Sequence, residues 1–185
     1  MGGVYKLLIG RVILPFFVIL TMSPVIHSQV PTVGDCLGAI PVCESYYFQP
    51  LTSNGVGNYI NEVGTGQDCP YDCLWGEANS TWYIFTVQTT GDLSFIITPV
   101  DPNDDYDWAL YNLTQYRCEE IIQHMATVTY SCNSAGGTGL HGATGAYNGF
   151  DDCAGGGTMN GNTQWNANIP LVEGQTFVLY ISDWT

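Results

Sequence analysis

Basic side chains are scarce in this chain. Its 185 residues include three lysine and arginine residues against seventeen aspartate and glutamate residues, for a formal net charge of −14. Lys6 and Arg11 precede a short apolar stretch near the N-terminus, which leaves Arg117 as the only basic residue in the rest of the chain. Nucleic acid and anionic membrane surfaces are disfavoured as partners, because binding to either depends on clustered lysine and arginine.

A long hydrophobic run is missing as well. The longest candidate, residues 12–22, is interrupted by Pro15 and is shorter than the roughly 18–20 apolar residues of a membrane-spanning helix. Basic residues, a short apolar core and then Ser23 to Ser28 are typical of a secretory signal peptide. We expect residues 1–28 to be cleaved, since Pro15 disfavours an uncleaved anchor. Residues 29–185 then form one secreted or cell-surface domain without a membrane span.

Cysteine is plentiful, and in an exported chain it indicates disulfides. Local spacing predicts the pairs Cys36–Cys43, Cys69–Cys73 and Cys118–Cys132. Cys153 is left as a free thiol, an intermolecular link, or the partner of a cysteine outside this chain. A zinc site on Cys69 and Cys73 is the alternative, although no second cysteine pair or histidine has matching spacing.

Short segments rich in β-branched and aromatic residues, separated by turn residues, predict an all-β fold. Their regular spacing favours an antiparallel β-sandwich or barrel braced by disulfides. The predicted strands are Ser80–Gln88, Leu93–Thr98, Asp107–Leu113, Ala126–Cys132 and Gln175–Ser182, with weaker candidates at Tyr46–Leu51 and Gln164–Ile169.

Three other segments carry their own expectations. Residues 117–125 predict one or two helical turns. The glycine-dense stretch from Asn133 to Asn162 predicts a long loop, which is an insertion, a binding loop or a partly disordered segment. The predicted strand Gln175–Ser182 has no partner after it in the chain. We therefore expect the sheet to lack its last strand, as in a fragment or the first domain of a longer protein.

Negative oxygens crowd into one segment without a basic neighbour. Such a cluster predicts a bound cation, and calcium takes six to eight oxygen ligands of this kind. Asp105 and Asp107 are the preferred ligands, with Glu77 and Asp183 as distant candidates. A plain solvated turn is the alternative, because Asp-Pro-Asn-Asp favours turns and the spacing does not match an EF-hand. The segment offers Asp101, Asn103, Asp104, Asp105 and Asp107, and Asp151-Asp152 forms a second acidic pair.

Aromatic residues suggest a second kind of site. Trp82 and Trp108 lie in predicted strands and are expected in the core, whereas Trp75, Trp165 and Trp184 lie nearer loops and could stack on sugar rings. An enzyme is not predicted. His124 and His141 are the histidines outside the leader, and neither belongs to a metalloprotease or nucleophile-elbow motif.

Seven short motifs follow one another along the chain, at residues 35–43, 77–87, 91–99, 103–111, 128–133, 137–140 and 172–179. Their order resembles a β-sandwich module of large secreted and cell-surface bacterial proteins exported by the type IX route. The module is also similar to bacterial pre-peptidase C-terminal and CUB-like domains. The resemblance implies a jelly-roll-like fold and a non-catalytic structural or adhesive role, with calcium and an extracellular protein or glycan as ligands. The alternative is a carbohydrate-binding module or accessory domain of a secreted hydrolase.

Overall fold

The computed structural model describes residues 29–50, 53–66, 72–135, 141–150, 153–155 and 163–185. The predicted signal peptide, Cys69 and the Asp151-Asp152 pair lie outside these ranges. Within them, the chain is built mainly from strands, and helix is confined to short turns. The all-β prediction is confirmed at this level.

The largest sheet has six strands, with the latest strand in the chain near its middle. This strand, β11 (Thr176–Asp183), is hydrogen-bonded to β2 (Thr81–Thr86) on one side and to β5 (Tyr106–Asn112) on the other, antiparallel to both. The expectation that this strand would have an unpaired edge is therefore wrong. In sheet order the strands are β1 (Ile40–Pro41), β2 (Thr81–Thr86), β11 (Thr176–Asp183), β5 (Tyr106–Asn112), β6 (Thr129–Ser134) and β8 (Cys153–Gly155).

Two smaller sheets complete the described strands. One contains β4 (Phe95–Ile97), β7 (Thr144–Ala146) and β9 (Trp165–Asn166), and the other pairs β3 (Gly91–Leu93) with β10 (Ile169–Leu171). The sheets are not purely antiparallel as predicted, because β1–β2, β6–β8 and β7–β9 are parallel pairs.

The glycine-dense stretch is not a continuous loop, since β7 and β8 both lie inside it. Gly145 in β7 has a φ of 146°, and a Cβ atom at this position would collide with the carbonyl oxygen of Phe95. Glycine is needed here because β7 passes close to β4. Glycine content alone predicted a loop here, although Gly145 belongs to a strand in which it permits close packing.

Strand boundaries differ from the sequence prediction in a few places. The predicted strand Ala126–Cys132 begins as α1 (Met125–Val128), and β6 starts only at Thr129. Two 3-10 turns, Cys118–Glu120 and Ile122–His124, precede α1, which confirms the short helical segment. Residues 46–50 of a weaker candidate are not in a strand.

Both faces of the six-stranded sheet are buried. Side chains alternate along β5, so that Trp108 and Leu110 pack on one face, whereas Ala109 and Tyr111 pack on the other. The first face is covered by apolar residues of β3, β4, β7 and β10. The second face is covered by loop residues and by Val128 of α1. Burial on both faces explains why the inner strands lack a polar alternation.

The disulfides join distant parts of the chain rather than neighbouring cysteines. Cys36 is bonded to Cys118, and Cys73 is bonded to Cys132, across 82 and 59 residues respectively. The predicted pairs Cys36–Cys43 and Cys118–Cys132 are therefore wrong, and Cys73 is not available to Cys69. Cys153 is disulfide-bonded, whereas Cys43 is an exposed free thiol. Sequence spacing failed because the sheet brings remote cysteines together.

Among the described residues, no helix has the length and apolar character needed to cross a membrane.

Candidate metal centre

The acidic segment divides into a self-contained turn and a pair of carboxylates that lead into β5. In the turn, one carboxylate oxygen of Asp101 accepts hydrogen bonds from the backbone N–H and the side-chain amide of Asn103, at 2.9 and 2.8 Å. The backbone N–H of Asp104 also donates to the carbonyl oxygen of Asp101. Asp101 and Asn103 therefore behave as the solvated-turn alternative predicts.

The next residues are held by the end of β11. Antiparallel pairing sets Tyr106 opposite Asp183 and Asp107 opposite Ser182. The backbone N–H of Trp184 donates to the carbonyl oxygen of Asp105 at 2.9 Å. Acidic residues from two remote segments thus lie at the same end of the sheet, and the charge of Asp183 acts on Asp105.

Asp105 and Asp107 each have a buried carboxylate oxygen that accepts no hydrogen bond from the described residues. Asp107 is only 4% exposed. The Oδ1 atoms of both residues are buried and have no hydrogen-bond partner among the described residues. A buried polar atom left unpaired costs about 1–3 kcal/mol, and more when it is charged. These oxygens are therefore the strongest indication of a missing ligand in the described chain.

The surroundings favour the neutral form of these acids. Burial, reinforced by the negative charge of Asp105, raises the pKa of Asp107 to about 8. Burial and the charge of Asp183 also raise the pKa of Asp105, and His141 partly opposes this effect. The only lysine or arginine in the described ranges is Arg117, which pairs with Glu120 at 3.5 Å. Ionised Asp105 and Asp107 therefore lack a full cationic partner.

A hydroxyl group links the two neighbouring carboxylates. Thr185 Oγ1 donates to Asp183 Oδ1 at 2.6 Å, and the backbone N–H of Thr185 donates to the same oxygen at 3.1 Å. Thr185 Oγ1 also lies 3.4 Å from Asp104 Oδ1. Asp104 and Asp183 therefore lie near each other at the end of β5 and β11, but among the described residues no three carboxylates of this region come within 4.8 Å of one another.

Glu77 belongs to a different acidic group. Its carboxylate accepts hydrogen bonds from the backbone N–H groups of Asn61 and Glu62, both at 2.8 Å. Glu62 in turn accepts from the backbone N–H of Cys36. Burial, opposed by this bond and reinforced by nearby carboxylates, raises the pKa of Glu62 to about 7. The structure thus places Glu77 with Glu62 rather than beside Asp105 and Asp107.

The role of Glu62 has no signal in the sequence. It follows Asn61, and only the fold brings its carboxylate to Cys36, 26 residues earlier in the chain. Both glutamates satisfy backbone N–H groups of a loop. This use of a carboxylate is structural.

The candidate aromatic platforms lie at separate places. Trp82 and Trp108 are fully buried, as predicted. Trp75 is 51% exposed, and Trp165 stacks edge-on against Tyr147 at 6.4 Å between ring centroids. Trp184 is partly exposed, and its indole N–H donates to Ser182 Oγ. Within the described contacts, only Trp165 has a second exposed aromatic ring beside it.

The sulfur atoms of Cys73, Cys132 and Cys153 lie within 4.8 Å of one another. This spacing would suit a metal, but zinc binds thiolates. Cys73 and Cys132 are joined in a disulfide, and Cys153 is disulfide-bonded as well. The zinc alternative therefore does not fit these residues.

Comparisons with protein families, with curated proteins and with solved structures found no match for this chain.

Proposed function

We propose that this chain is an exported, non-catalytic β-sandwich module of jelly-roll type that is stabilised by calcium. Its role is structural or adhesive, at the surface of a bacterial cell or in a secreted protein. The resemblance to type IX cargo modules supports the role, and the disulfides support an oxidising, extracellular compartment. The two-faced burial of the six-stranded sheet supports a layered architecture.

The observation that carries the calcium proposal is the pair of buried, unpartnered Oδ1 atoms of Asp105 and Asp107. Protonation relieves their repulsion in the metal-free protein, and a hard cation would relieve it by displacing the proton and pairing with both carboxylates. Calcium accepts carboxylate and backbone carbonyl oxygens in irregular geometry, which suits a site shared by a loop and a strand end. Asp183 lies opposite Tyr106, on the other face of β5 from Asp107. Water and backbone carbonyl oxygens would therefore complete the shell around Asp105 and Asp107.

Calcium would act on the structure in two ways. It would offset the repulsion between Asp105 and Asp107, and it would tie the end of the loop at residues 101–105 to the start of β5. Both effects make this end of the sheet more rigid. In an adhesive module, a rigid loop presents a fixed surface and lowers the entropy lost on binding a partner.

The test is direct binding by the full-length protein. Calcium is titrated by isothermal calorimetry into chelator-treated protein, and magnesium is titrated separately. We expect one saturable calcium site with a dissociation constant of about 10⁻⁴–10⁻³ M, typical of extracellular modules. The double variant Asp105→Asn/Asp107→Asn should bind none. Asp92→Asn removes an exposed charge from β3 and should bind normally. Absence of binding to the unmodified protein would reject the calcium site.

The alternative function is carbohydrate binding, as a free module or as an accessory domain of a secreted hydrolase. The edge-on pair of Trp165 and Tyr147 favours it, because adjacent aromatic rings can stack on successive sugars. A glycan array with tryptophan fluorescence titration tests this role. Quenching should be lost in Trp165→Ala or Trp75→Ala and retained in Tyr46→Ala, which changes an exposed aromatic elsewhere. Release of reducing ends from a bound glycan would instead indicate an enzyme.

A further inference from the structure

A buried cluster of sulfur atoms lies where the sheet meets the segment around Cys73. β6 and β8 run parallel with Cys132 directly beside Cys153. The Sγ atoms of these two residues lie 3.4 Å apart, although Cys132 is bonded to Cys73. All three cysteines are buried. Two disulfides therefore touch through Cys132 and Cys153.

This contact satisfies the first requirement of thiol–disulfide exchange. Exchange begins when a thiolate attacks a sulfur atom of a neighbouring disulfide. The Sγ atom of Cys153, once reduced, would already lie against the bonded sulfur of Cys132. An intramolecular attack of this kind is favoured over attack by a thiol in solution, because the reacting atoms are held together.

We propose that Cys132 exchanges its disulfide partner between Cys73 and Cys153, and that the domain carries a redox-sensitive crosslink. An extracellular dithiol first reduces the disulfide of Cys153, supplying two electrons. The Cys153 thiolate then attacks Cys132 Sγ and forms a new S–S bond. The Cys73–Cys132 bond breaks, and its electron pair and a proton pass to the Cys73 sulfur. This exchange step needs no further oxidant or reductant.

The exchange changes which two segments the disulfide joins. In the described state, the bond joins Cys73 to β6, and the carbonyl oxygen of Cys73 also accepts a hydrogen bond from Ser134. After exchange, the bond would join the two neighbouring strands β6 and β8. The segment that carries Cys73 and the exposed Trp75 would then be held by packing and hydrogen bonds alone. Reduction would thus loosen one surface segment and leave the sheet crosslinked.

Disulfide mapping tests the proposal on the full-length protein. The protein is treated with a limiting amount of dithiothreitol, quenched in acid, alkylated and digested. We expect a Cys132–Cys153 peptide to appear together with alkylated Cys73. Persistence of the Cys73–Cys132 peptide while Cys153 is alkylated would overturn the proposal. This measurement uses the unmodified chain, so that it does not depend on the folding of a variant.

Two variants sharpen the result. Cys73→Ser leaves Cys132 as a thiol beside the disulfide of Cys153, and we expect Cys132–Cys153 to become the main linkage, with the former partner of Cys153 released as a thiol. Cys118→Ser is the matched control, because it breaks the disulfide outside the sulfur cluster and should leave Cys73–Cys132 intact. A free Cys132 thiol in Cys73→Ser would contradict the exchange.

Discussion

Replacing Asp107 with asparagine should stabilise the protein when calcium is absent, although the change removes a proposed ligand. Asp107 is buried, and its pKa is raised from 3.8 to about 8. The unfolded chain therefore loses its proton at a lower pH than the folded chain does. Stability then falls as the pH rises from about 4 to about 8, because ionisation favours the unfolded state.

The magnitude follows from the size of the pKa change. Each tenfold change in an ionisation equilibrium corresponds to about 1.4 kcal/mol, so that ionising Asp107 at pH 8.5 lowers the free energy of unfolding by ~4–6 kcal/mol. For a domain of this size, 1 kcal/mol changes the melting temperature by about 2–4 °C. In chelator at pH 8.5, Asp107→Asn should therefore melt roughly 10 °C or more above the unmodified protein. The gain should shrink towards pH 4.

Calcium should stabilise the unmodified protein but not the Asp107→Asn variant. At 10 mM calcium, a site with a dissociation constant of about 10⁻⁴–10⁻³ M adds roughly 1.4–2.7 kcal/mol to the stability of the unmodified protein. The melting temperature then rises by about 3–10 °C. Asp107→Asn should show no rise, and Asp92→Asn should behave like the unmodified protein.

Differential scanning calorimetry at pH 5 and pH 8.5, with chelator or with calcium, measures all of these quantities. Two results would refute the reasoning. One is an Asp107→Asn variant that is less stable than the unmodified protein in chelator at pH 8.5. The other is a calcium-dependent rise in that variant equal to the rise in the unmodified protein.

Three further predictions concern other parts of the molecule. Glu62→Gln should raise the free energy of unfolding by about 1 kcal/mol at pH 8 and by less at pH 5. The pKa of Glu62 is about 7, and solvent screens part of the cost of ionising this partly exposed side chain. Urea titrations with chelator measure the change, and a loss of stability at pH 8 would contradict the prediction. Cys118→Ser should lower the free energy of unfolding by about 2–5 kcal/mol in the same assay, because the disulfide with Cys36 closes a long loop. An unchanged urea midpoint would show that this disulfide is not needed for stability. Trp82→Ala should cost about 3–5 kcal/mol, since this fully buried ring packs against Tyr180, and circular dichroism melting should show a change of more than 5 °C.

The strands with continuous apolar and aromatic sequence could be predicted because burial on both faces demands such residues. β2 falls inside its predicted segment, and β5 and β11 each extend one residue beyond theirs. β7 and β8 could not be predicted, because their place in the sheet depends on close packing rather than on apolar content. Gly145 reads as a loop residue in the sequence, yet it lies in a strand that contacts β4.

Contacts between residues that are remote in the sequence were predicted less well than the strands. The acidic character of residues 101–107 was visible in the sequence, and so was the possible contribution of Asp183. The sequence did not show that Asp101 uses its carboxylate within its own turn, or that Glu77 and Glu62 form a separate group. Disulfide connectivity failed for the same reason, since Cys36 and Cys118 are 82 residues apart and meet only in the folded chain.

The position of β11 has a consequence for the order in which the molecule can be made. β11 separates β2 from β5, yet it is synthesised after both of them. Until residue 183 has left the ribosome, the hydrogen-bonding edges of β2 and β5 that face it have no partner. The main sheet therefore cannot close before β11 has been made. Until then β2 and β5 lack their central neighbour, and their apolar side chains are open to aggregation.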